Sequence, residues 1–241
     1  MRTFLINLDR NVDRLKIVTE HLHSLGIEFE RQPGVDGQAM TPSERNRHVS
    51  RVHNFVARMK PLSSGEIGCA LSHVAIYEKM VSRNIPVALI FEDDIELDED
   101  APRYIAEAEA RMDTSRPQVY HFTKPSFKDL DRSPRARAFK RVYSETDAEA
   151  YMITLPAAKA LLRVNYPLVV PFDVWRRWCK RNLIELYKLS PGFSRQRRNE
   201  FVSDIVTKPV VYLKGLKWLC WKVVRCPCVA IDWFWWKLLG R

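Results

Sequence analysis

Three consecutive carboxylates, Glu92-Asp93-Asp94, directly follow the apolar run 87–91. An apolar run of this length after a proline predicts a buried strand, and strands of open α/β sheets end where ligands bind. Adjacent carboxylates raise one another's pKa unless a cation lies among them, and oxygen ligands suit Mg²⁺ or Mn²⁺. The triplet therefore predicts a divalent-metal and diphosphate site. The alternative is a solvated acidic loop that continues through Asp100.

Side chains alternate along an extended chain, which divides the triplet into two roles. Glu92 and Asp94 can point the same way, and we expect these two to hold the Mn²⁺ or Mg²⁺ ion. Asp93 then faces the other way, where it can bond a ribose.

The first sixty residues predict the start of a doubly wound α/β domain. Strand-like runs at 3–8 and 27–31 flank an amphipathic helical segment. Asn7, Asp9 and Arg14 follow the first strand, where a nucleotide base and ribose bind in such folds, although Asp9 can instead act as a helix cap. Asp36, directly before a glycine, can accept a hydrogen bond from the base or ribose or can simply form a turn.

A second helical segment begins near Ser64, which we expect to cap it, and carries Glu66, Ser72 and His73. Its apolar positions, including Ile67, are spaced as a stripe that faces a core. His73 lies next to that stripe, so a structural histidine is the alternative to a ligand-binding one.

The net charge of +10 calls for an anionic partner. Residues 208–241 hold seven basic residues and one acid, so this tail carries more than half of the excess, and it also holds five of the seven tryptophans. Such a composition is typical of an interfacial segment on an anionic membrane, the alternative being a helix folded back on the core. We therefore expect a domain at 1–207, a membrane-associating tail at 208–241, and no nucleic-acid partner, since no nucleic-acid-binding motif is present.

Cysteine usage and the N-terminus favour a cytoplasmic protein. Five cysteines without repeated spacing indicate a reducing compartment, and Cys226-Pro227-Cys228 lacks the second ligand pair of a zinc site. The first apolar run is too short for a signal peptide. With the tail, this predicts a peripheral protein on the inner face of the cytoplasmic membrane.

An ordered set of motifs extends from Phe4 to about Ile205. Its members are Ile6-Asn7-Leu8-Asp9-Arg10 with Asp13-Arg14, Val35-Asp36-Gly37, Ser64 through His73, Phe91-Glu92-Asp93-Asp94, Ala150-Tyr151-Met152-Ile153 with Ala157-Ala158, and Pro171-Phe172-Asp173. The set resembles glycosyltransferase family 25, the bacterial lipooligosaccharide glycosyltransferases related to collagen galactosyltransferases. The resemblance implies a single Rossmann-like domain of the GT-A nucleotide-sugar type. It also implies a UDP-sugar donor, most often UDP-galactose, and a lipid-linked oligosaccharide acceptor.

The same resemblance places Glu92-Asp93-Asp94 where GT-A enzymes carry an Asp-x-Asp metal motif, and it adds Glu66 and His73 to the candidate donor contacts. The last histidine here is His121, so the late metal-binding histidine of several GT-A enzymes has no counterpart.

An inverting transfer to a β linkage needs a carboxylate base. Asp173, at the end of a predicted apolar strand at 168–172, is the first candidate, and a helix cap before Trp175 is its alternative role. Asp147 and Glu149, before the predicted strand at 150–155, are the reserves. The basic segment 124–141 is expected to be a mobile loop.

Overall fold

A computed structural model describes residues 1–58, 60–123, 137–145 and 147–197. Nine strands are formed within these residues: β1 (Arg2–Asn7), β2 (Glu30–Pro33), β3 (Val87–Glu92), β4 (Ile95–Leu97), β5 (Gln118–His121), β6 (Ala138–Val142), β7 (Ala150–Thr154), β8 (Glu185–Ser190) and β9 (Ser194–Gln196). The helices of the same residues are α1 (Val12–Ser24), α2 (Pro42–Arg47), α3 (Arg51–Arg58), α4 (Ser64–Ser82), α5 (Ala101–Arg111), α6 (Leu155–Asn165) and α7 (Trp175–Lys180).

Seven of the strands form one mixed sheet in the order β2-β1-β3-β7-β5-β8-β6. Strands β2, β1, β3, β5 and β8 run in one direction, and β7 and β6 run against them. The carboxyl ends of β1, β2 and β3 therefore lie side by side at one edge, together with the amino end of β7. This arrangement is a mixed α/β fold with a mostly parallel sheet, as predicted.

Apolar side chains cover both faces of the sheet, as an α/β architecture requires. One cluster joins helices α4, α6 and α7 to the sheet and includes Ile67, Leu161, Trp175, Phe4 and Ile90. The other packs α1 and α5 on the opposite face and includes Leu22, Ile105, Leu5, Leu89 and Phe91. Residues 4–5 and 89–91 thus contribute alternately to the two clusters, which fixes the register of both strands.

Two sequence predictions about where elements begin are wrong. β2 begins at Glu30, three residues after the predicted start. The cap of α4 is Ser63, whose hydroxyl accepts from the Glu66 amide while the Glu66 carboxylate accepts from the Ser63 amide. The spacing Ser63-x-x-Glu66 is that of a capping box, whereas Ser64 is one residue too close.

The apolar run 168–172 is a loop and not a strand. Its polar backbone groups bind side chains: the Asn165 carbonyl oxygen accepts from the amides of Val169 and Val170, and the Asn54 amide donates to the Val169 carbonyl. Leu168 pairs with Val49 in an isolated bridge. Because the asparagines satisfy the backbone of the residues that follow, the run is buried without joining the large sheet.

The basic segment 124–141 is only partly within the described residues. Its last residues, from Ala138, belong to strand β6, which pairs with β8 at the sheet edge, so this part is not a loop. Residues 124–136, the predicted domain boundary at 207 and the tail at 208–241 lie outside the described residues. None of the helices described is long and apolar enough to cross a membrane.

Candidate active site

A cavity of about 530 Å³ lies at the carboxyl ends of β1, β2 and β3. The strand order brings together there the residues that follow these strands, the first half of α4 and the segment before β7. Its walls include Asn7, Arg10, Arg14, Asp36, Gly37, Gly65, Cys69, Ser72, His73, Glu92, Asp93, Asp94, Asp147 and Gln196. Eight of the twelve candidate site residues line this cavity, so the fold brings together positions separated by as many as 140 residues.

One wall of the cavity is built from ion pairs around Asn7, which is almost fully buried. The Asn7 amide donates to Asp93 Oδ2 at 2.7 Å, and its carbonyl oxygen accepts from Arg31 Nε at 3.0 Å. Arg14 pairs with Asp93 Oδ1 at 3.2 Å. Each of these polar side chains therefore has a hydrogen-bond or ion-pair partner, which fixes the position of the Asp93 carboxylate.

Asp36 extends this ion-paired wall across the loop after β2. Its carboxylate pairs with Arg10, and Oδ1 also accepts from the Gln38 and Ala39 amides at 2.9 and 3.3 Å. These local hydrogen bonds form an Asx turn, so Asp36 shapes the loop as well as facing the cavity.

Two glycines let this loop lie directly against α4. A Cβ atom on Gly37 would lie 1.9 Å from the Ser64 carbonyl oxygen, and one on Gly68 would lie 2.4 Å from the Val35 carbonyl oxygen. Ser72 reinforces the contact, because its hydroxyl accepts from the Val35 amide and donates to the Gly68 carbonyl, both at 2.8 Å. The loop and the helix thus fix one side of the cavity by backbone contact.

The second wall, which we call the buried wall, centres on His73. Its ring is fully buried and stacks on Phe172 with centroids 3.8 Å apart and planes 4° from parallel. Nδ1 lies 2.8 Å from the Tyr151 hydroxyl, and Nε2 lies 3.2 Å from Glu92 Oε1. The Cys69 thiol lies 3.8 Å from the same carboxylate oxygen.

Burial pushes the groups of this wall toward their neutral forms. It lowers the pKa of His73 to about 3, and it raises the pKa of the Cys69 thiol well above its usual range. Burial, with the charges of Asp93 and Asp173, raises the pKa of Glu92 to about 7. The His73–Glu92 contact therefore joins two groups that the surroundings favour uncharged.

Asp94 is the member of the triplet that fits an incoming cation best. Its Oδ1 atom is buried and has no hydrogen-bond partner within the described residues. Burial, with Glu92 and Asp93 next, raises the pKa of Asp94 to about 7. An orphaned carboxylate oxygen beside two other acids is the environment that a divalent cation would stabilise.

The three candidate bases occupy different surroundings. Asp147 is in the cavity wall, and its backbone has φ of 65°, with the carbonyl accepting from Trp175 Nε1 and His121 Nε2. Glu149 is fully buried outside the wall, and burial raises its pKa to about 8. Asp173 is not part of the wall, follows a loop and does not cap α7, whose cap is Val174; burial raises its pKa.

Two further candidates lie outside the cavity wall. Glu66 closes the capping box of α4 and pairs with Arg58 at 2.6 Å, tying α3 to α4. Burial opposes its ionisation, but the Arg58 and Ser63 hydrogen bonds outweigh it and lower the pKa of Glu66. The Asp9 carboxylate is largely exposed and pairs with Arg31 at 2.6 Å.

The sequence model of glycosyltransferase family 25 (LPS biosynthesis protein) matches residues 1–175 of this chain. The chain belongs to glycosyltransferase family 25. The match begins with β1, runs through the triplet and ends just after Asp173, and it therefore contains every candidate site residue.

Curated relatives agree with the family 25 assignment. A "Glycosyltransferase 25 family member" of Anopheles gambiae is 32% identical over 179 residues, 70% of this chain and 30% of that protein. A Haemophilus influenzae protein provisionally named a glycosyltransferase is 27% identical over 202 residues, 80% of this chain and 69% of that protein. Procollagen galactosyltransferase 1-A of Xenopus laevis is 28% identical over 180 residues, 70% of this chain and 29% of that protein. The chain thus spans about a third of the length of its animal family 25 relatives.

Sequence reasoning missed Cys69 and Gln196 as cavity residues, and it missed Gly68 as the helix residue against which the loop after β2 packs. Cys69 stands four positions before His73, a spacing that puts both on one helix face, so a signal existed. Gly68 could be found only from its approach to Val35, and Gln196 only from the pairing of β9 with β4.

Proposed function

We propose that this family 25 member transfers a hexose, most simply galactose from UDP-galactose, to a lipooligosaccharide or lipopolysaccharide acceptor. The observation that carries the proposal is the acidic triplet at the carboxyl end of β3, which opens into a cavity with the orphaned Asp94 oxygen in its wall. The family description as an LPS biosynthesis protein supports the acceptor, and the procollagen galactosyltransferase name of a relative supports the sugar.

A Mn²⁺ or Mg²⁺ ion fits the donor set of this site. Asp94 and Glu92 would hold it, since such ions take one or two carboxylates and complete their shell with water and substrate phosphates. Bound there, the ion would neutralise the charge of the departing diphosphate.

The ion-paired wall is the proposed site of the nucleoside. Asn7 and Asp93 are held by Arg31 and Arg14 in fixed positions next to the triplet. Asp93 would accept from a ribose hydroxyl, and Asp36, farther along the same wall, would accept from the ribose or base. Arg10 and Arg14, both in the wall, add positive charge where a diphosphate would lie.

We propose an inverting transfer with Asp147 as the general base. The acceptor hydroxyl oxygen bonds to the anomeric carbon as the bond from that carbon to the diphosphate oxygen breaks, and the hydroxyl proton passes to the carboxylate. Asp147 replaces Asp173 as first candidate because it is the one of the three acids in the cavity wall. Its left-handed backbone, unusual for a residue other than glycine, is the kind of local strain that concentrates at active sites.

The acceptor and the tail together suggest a place of action. A lipid-linked acceptor is confined to a membrane, and the basic, tryptophan-rich residues 208–241 have the composition of an interfacial anchor. We propose that the protein acts as a peripheral enzyme on the inner face of the cytoplasmic membrane, where the tail would raise the local acceptor concentration.

A thermal-shift panel with UDP-galactose, UDP-glucose and UDP-N-acetyl sugars, each with and without Mn²⁺, tests donor and metal together. A ligand that binds the folded chain raises its melting temperature, and at equal concentration the rise is larger for the ligand that binds more tightly. We expect UDP-galactose to give the largest shift, only with Mn²⁺ present. Equal shifts with every nucleotide sugar would remove the galactose assignment, and no shift with any of them would favour a noncatalytic adaptor of the same fold.

A further inference from the structure

A cysteine, a histidine and a glutamate meet in the buried wall. Cys69 Sγ, His73 Nε2 and a Glu92 carboxylate oxygen all lie within 4.8 Å of one another. The histidine nitrogen is 3.2 Å and the sulfur 3.8 Å from the same Glu92 oxygen. A tetrahedral zinc ion, with a Zn–S bond of ~2.3 Å and Zn–N and Zn–O bonds of ~2.1 Å, places its ligand atoms roughly 3.4–3.6 Å apart. The two distances to Glu92 are therefore close to the separations that one ion requires, and the sulfur lies within 4.8 Å of the histidine nitrogen.

Rigid elements hold the three groups in this arrangement. Cys69 and His73 are four residues apart on α4 and project from one face of it, while Glu92 is the last residue of the central strand β3. Stacking on Phe172 and the 2.8 Å contact of Nδ1 with Tyr151 fix the His73 ring with Nε2 toward Glu92. An outer partner on the second ring nitrogen is the usual support of a metal-binding histidine.

We propose that Cys69, His73 and Glu92 form a zinc site with its fourth position open to the cavity. All three residues are in the cavity wall, so an ion can enter and bind a water molecule there. A thiolate and an imidazole select zinc over the oxygen-seeking Mg²⁺ and Mn²⁺, which the proposed donor site would take at Asp94. Zinc in this position would engage Glu92 and compete with that site for the carboxylate.

Cobalt provides a direct test that does not depend on glycosyl transfer. Co²⁺ takes the place of Zn²⁺ in tetrahedral sites, and a Co²⁺–thiolate bond gives an intense near-ultraviolet charge-transfer band. The protein is the full chain with Cys220, Cys226 and Cys228 replaced by serine, which leaves Cys69 and the buried Cys179 as its thiols. It is freed of metal and titrated with Co²⁺, then with Zn²⁺ and separately with Mg²⁺.

We expect one equivalent of Co²⁺ to produce the band. Added Zn²⁺ should abolish the band, and excess Mg²⁺ should leave it unchanged. Cys69→Ser should remove the band and weaken Zn²⁺ binding by at least about a hundredfold, the upper end of the loss caused by removing only an outer partner. Cys179→Ser is the matched control and should keep the band. Tyr151→Phe should keep it with binding about tenfold weaker.

Absence of the band in the parent protein, or its persistence in Cys69→Ser, would overturn the zinc site. If Cys69→Ser fails to fold, Glu92→Gln serves in its place, and unchanged Zn²⁺ affinity in that variant would overturn it equally. Neither result bears on the UDP-sugar panel, so the zinc site and the transferase proposal fail separately.

Discussion

Similar acidic side chains have opposite surroundings in the two walls of the cavity. In the ion-paired wall, Asp93 has an amide and a guanidinium within hydrogen-bond distance. In the buried wall, the neighbouring Glu92 faces a histidine and a thiol, and burial raises its pKa to about 7. Two adjacent carboxylates thus have different surroundings, because a guanidinium lies beside Asp93 and none is paired with Glu92 among the described residues.

This difference shows that an acidic triplet is not a uniform metal motif. The three carboxylates lie in separate environments, and Asp94 is the one of the three with a buried oxygen that has no partner among the described residues. The ion-paired wall is organised before any ligand arrives, whereas the buried wall holds acids that a cation would ionise. Substitutions on each side should therefore affect different measurements.

Asp94→Asn should have the largest effect. The substitution removes the carboxylate proposed to hold the cation, and we expect the transfer rate to fall roughly a thousandfold. Transfer rates measured with UDP-galactose and Mn²⁺ test this expectation. Glu99→Gln, an exposed acid in the same acidic stretch, is the control and should retain full activity. A loss of transfer rate of tenfold or less in Asp94→Asn would show that the cation is held by other residues.

Asp147→Asn should have the second-largest effect. Loss of a general base costs on the order of a hundredfold or more in the transfer rate, while donor binding by the ion-paired wall should be unchanged. Steady-state kinetics separate the rate from the donor KM. Asp173→Asn provides the comparison, since Asp173 is not in the cavity wall, and a larger loss in Asp173→Asn would restore it as the base.

Gly68→Ala tests the backbone contact that supports the ion-paired wall. The added methyl would meet the Val35 carbonyl at 2.4 Å and the Gly37 amide at 2.6 Å, so we expect a loss of about 1–3 kcal/mol in unfolding free energy and a raised donor KM. Urea denaturation measures the stability. Glu78→Ala, exposed on the same helix, should change it by less than about 0.5 kcal/mol. Equal stability of the two variants would show that the loop can move away from α4.

The smallest expected effect is a change of pH dependence in Glu149→Gln. Burial raises the pKa of Glu149 from 4.5 to about 8, so between these values the folded chain binds more protons than the unfolded chain and stability falls as pH rises. The neutral amide removes this contribution. We expect the melting temperature of the variant to rise relative to that of the parent as pH goes from 4.5 to 8, with little difference between the two near pH 4.5. A gain that is the same at both values would exclude titration of Glu149 as its cause.

Much of the site could be predicted from sequence because it follows the ends of strongly apolar strands. Val87–Glu92 and Ala150–Thr154 are fully buried strands with sharp boundaries, and the polar residues beside them had to meet at one edge of a mostly parallel sheet. The triplet, Asn7 and Asp147 were found in this way. Local chemistry also marks the start of α4, although the correct cap is Ser63.

The remaining features depend on contacts between distant residues. The run 168–172 has the composition of a strand, and only Asn54 and Asn165 show why it stays a loop. Strand β6 is basic and mostly exposed, and its pairing with β8 gives it its conformation. The grouping of Glu92 with Cys69 and His73 likewise arises from the packing of α4 on the sheet, which no local pattern encodes.

The close approach of Gly37 and Gly68 has a mechanical consequence. No side-chain atoms lie between the loop and the helix at these two glycines. Separating the two would break the Ser72 hydrogen bonds, so this part of the cavity wall is rigid. A larger bound sugar therefore cannot gain space there through a change of side-chain rotamer. Whatever tolerance the cavity has for larger or smaller sugars must come from other parts of its lining, such as Asp147 and Gln196.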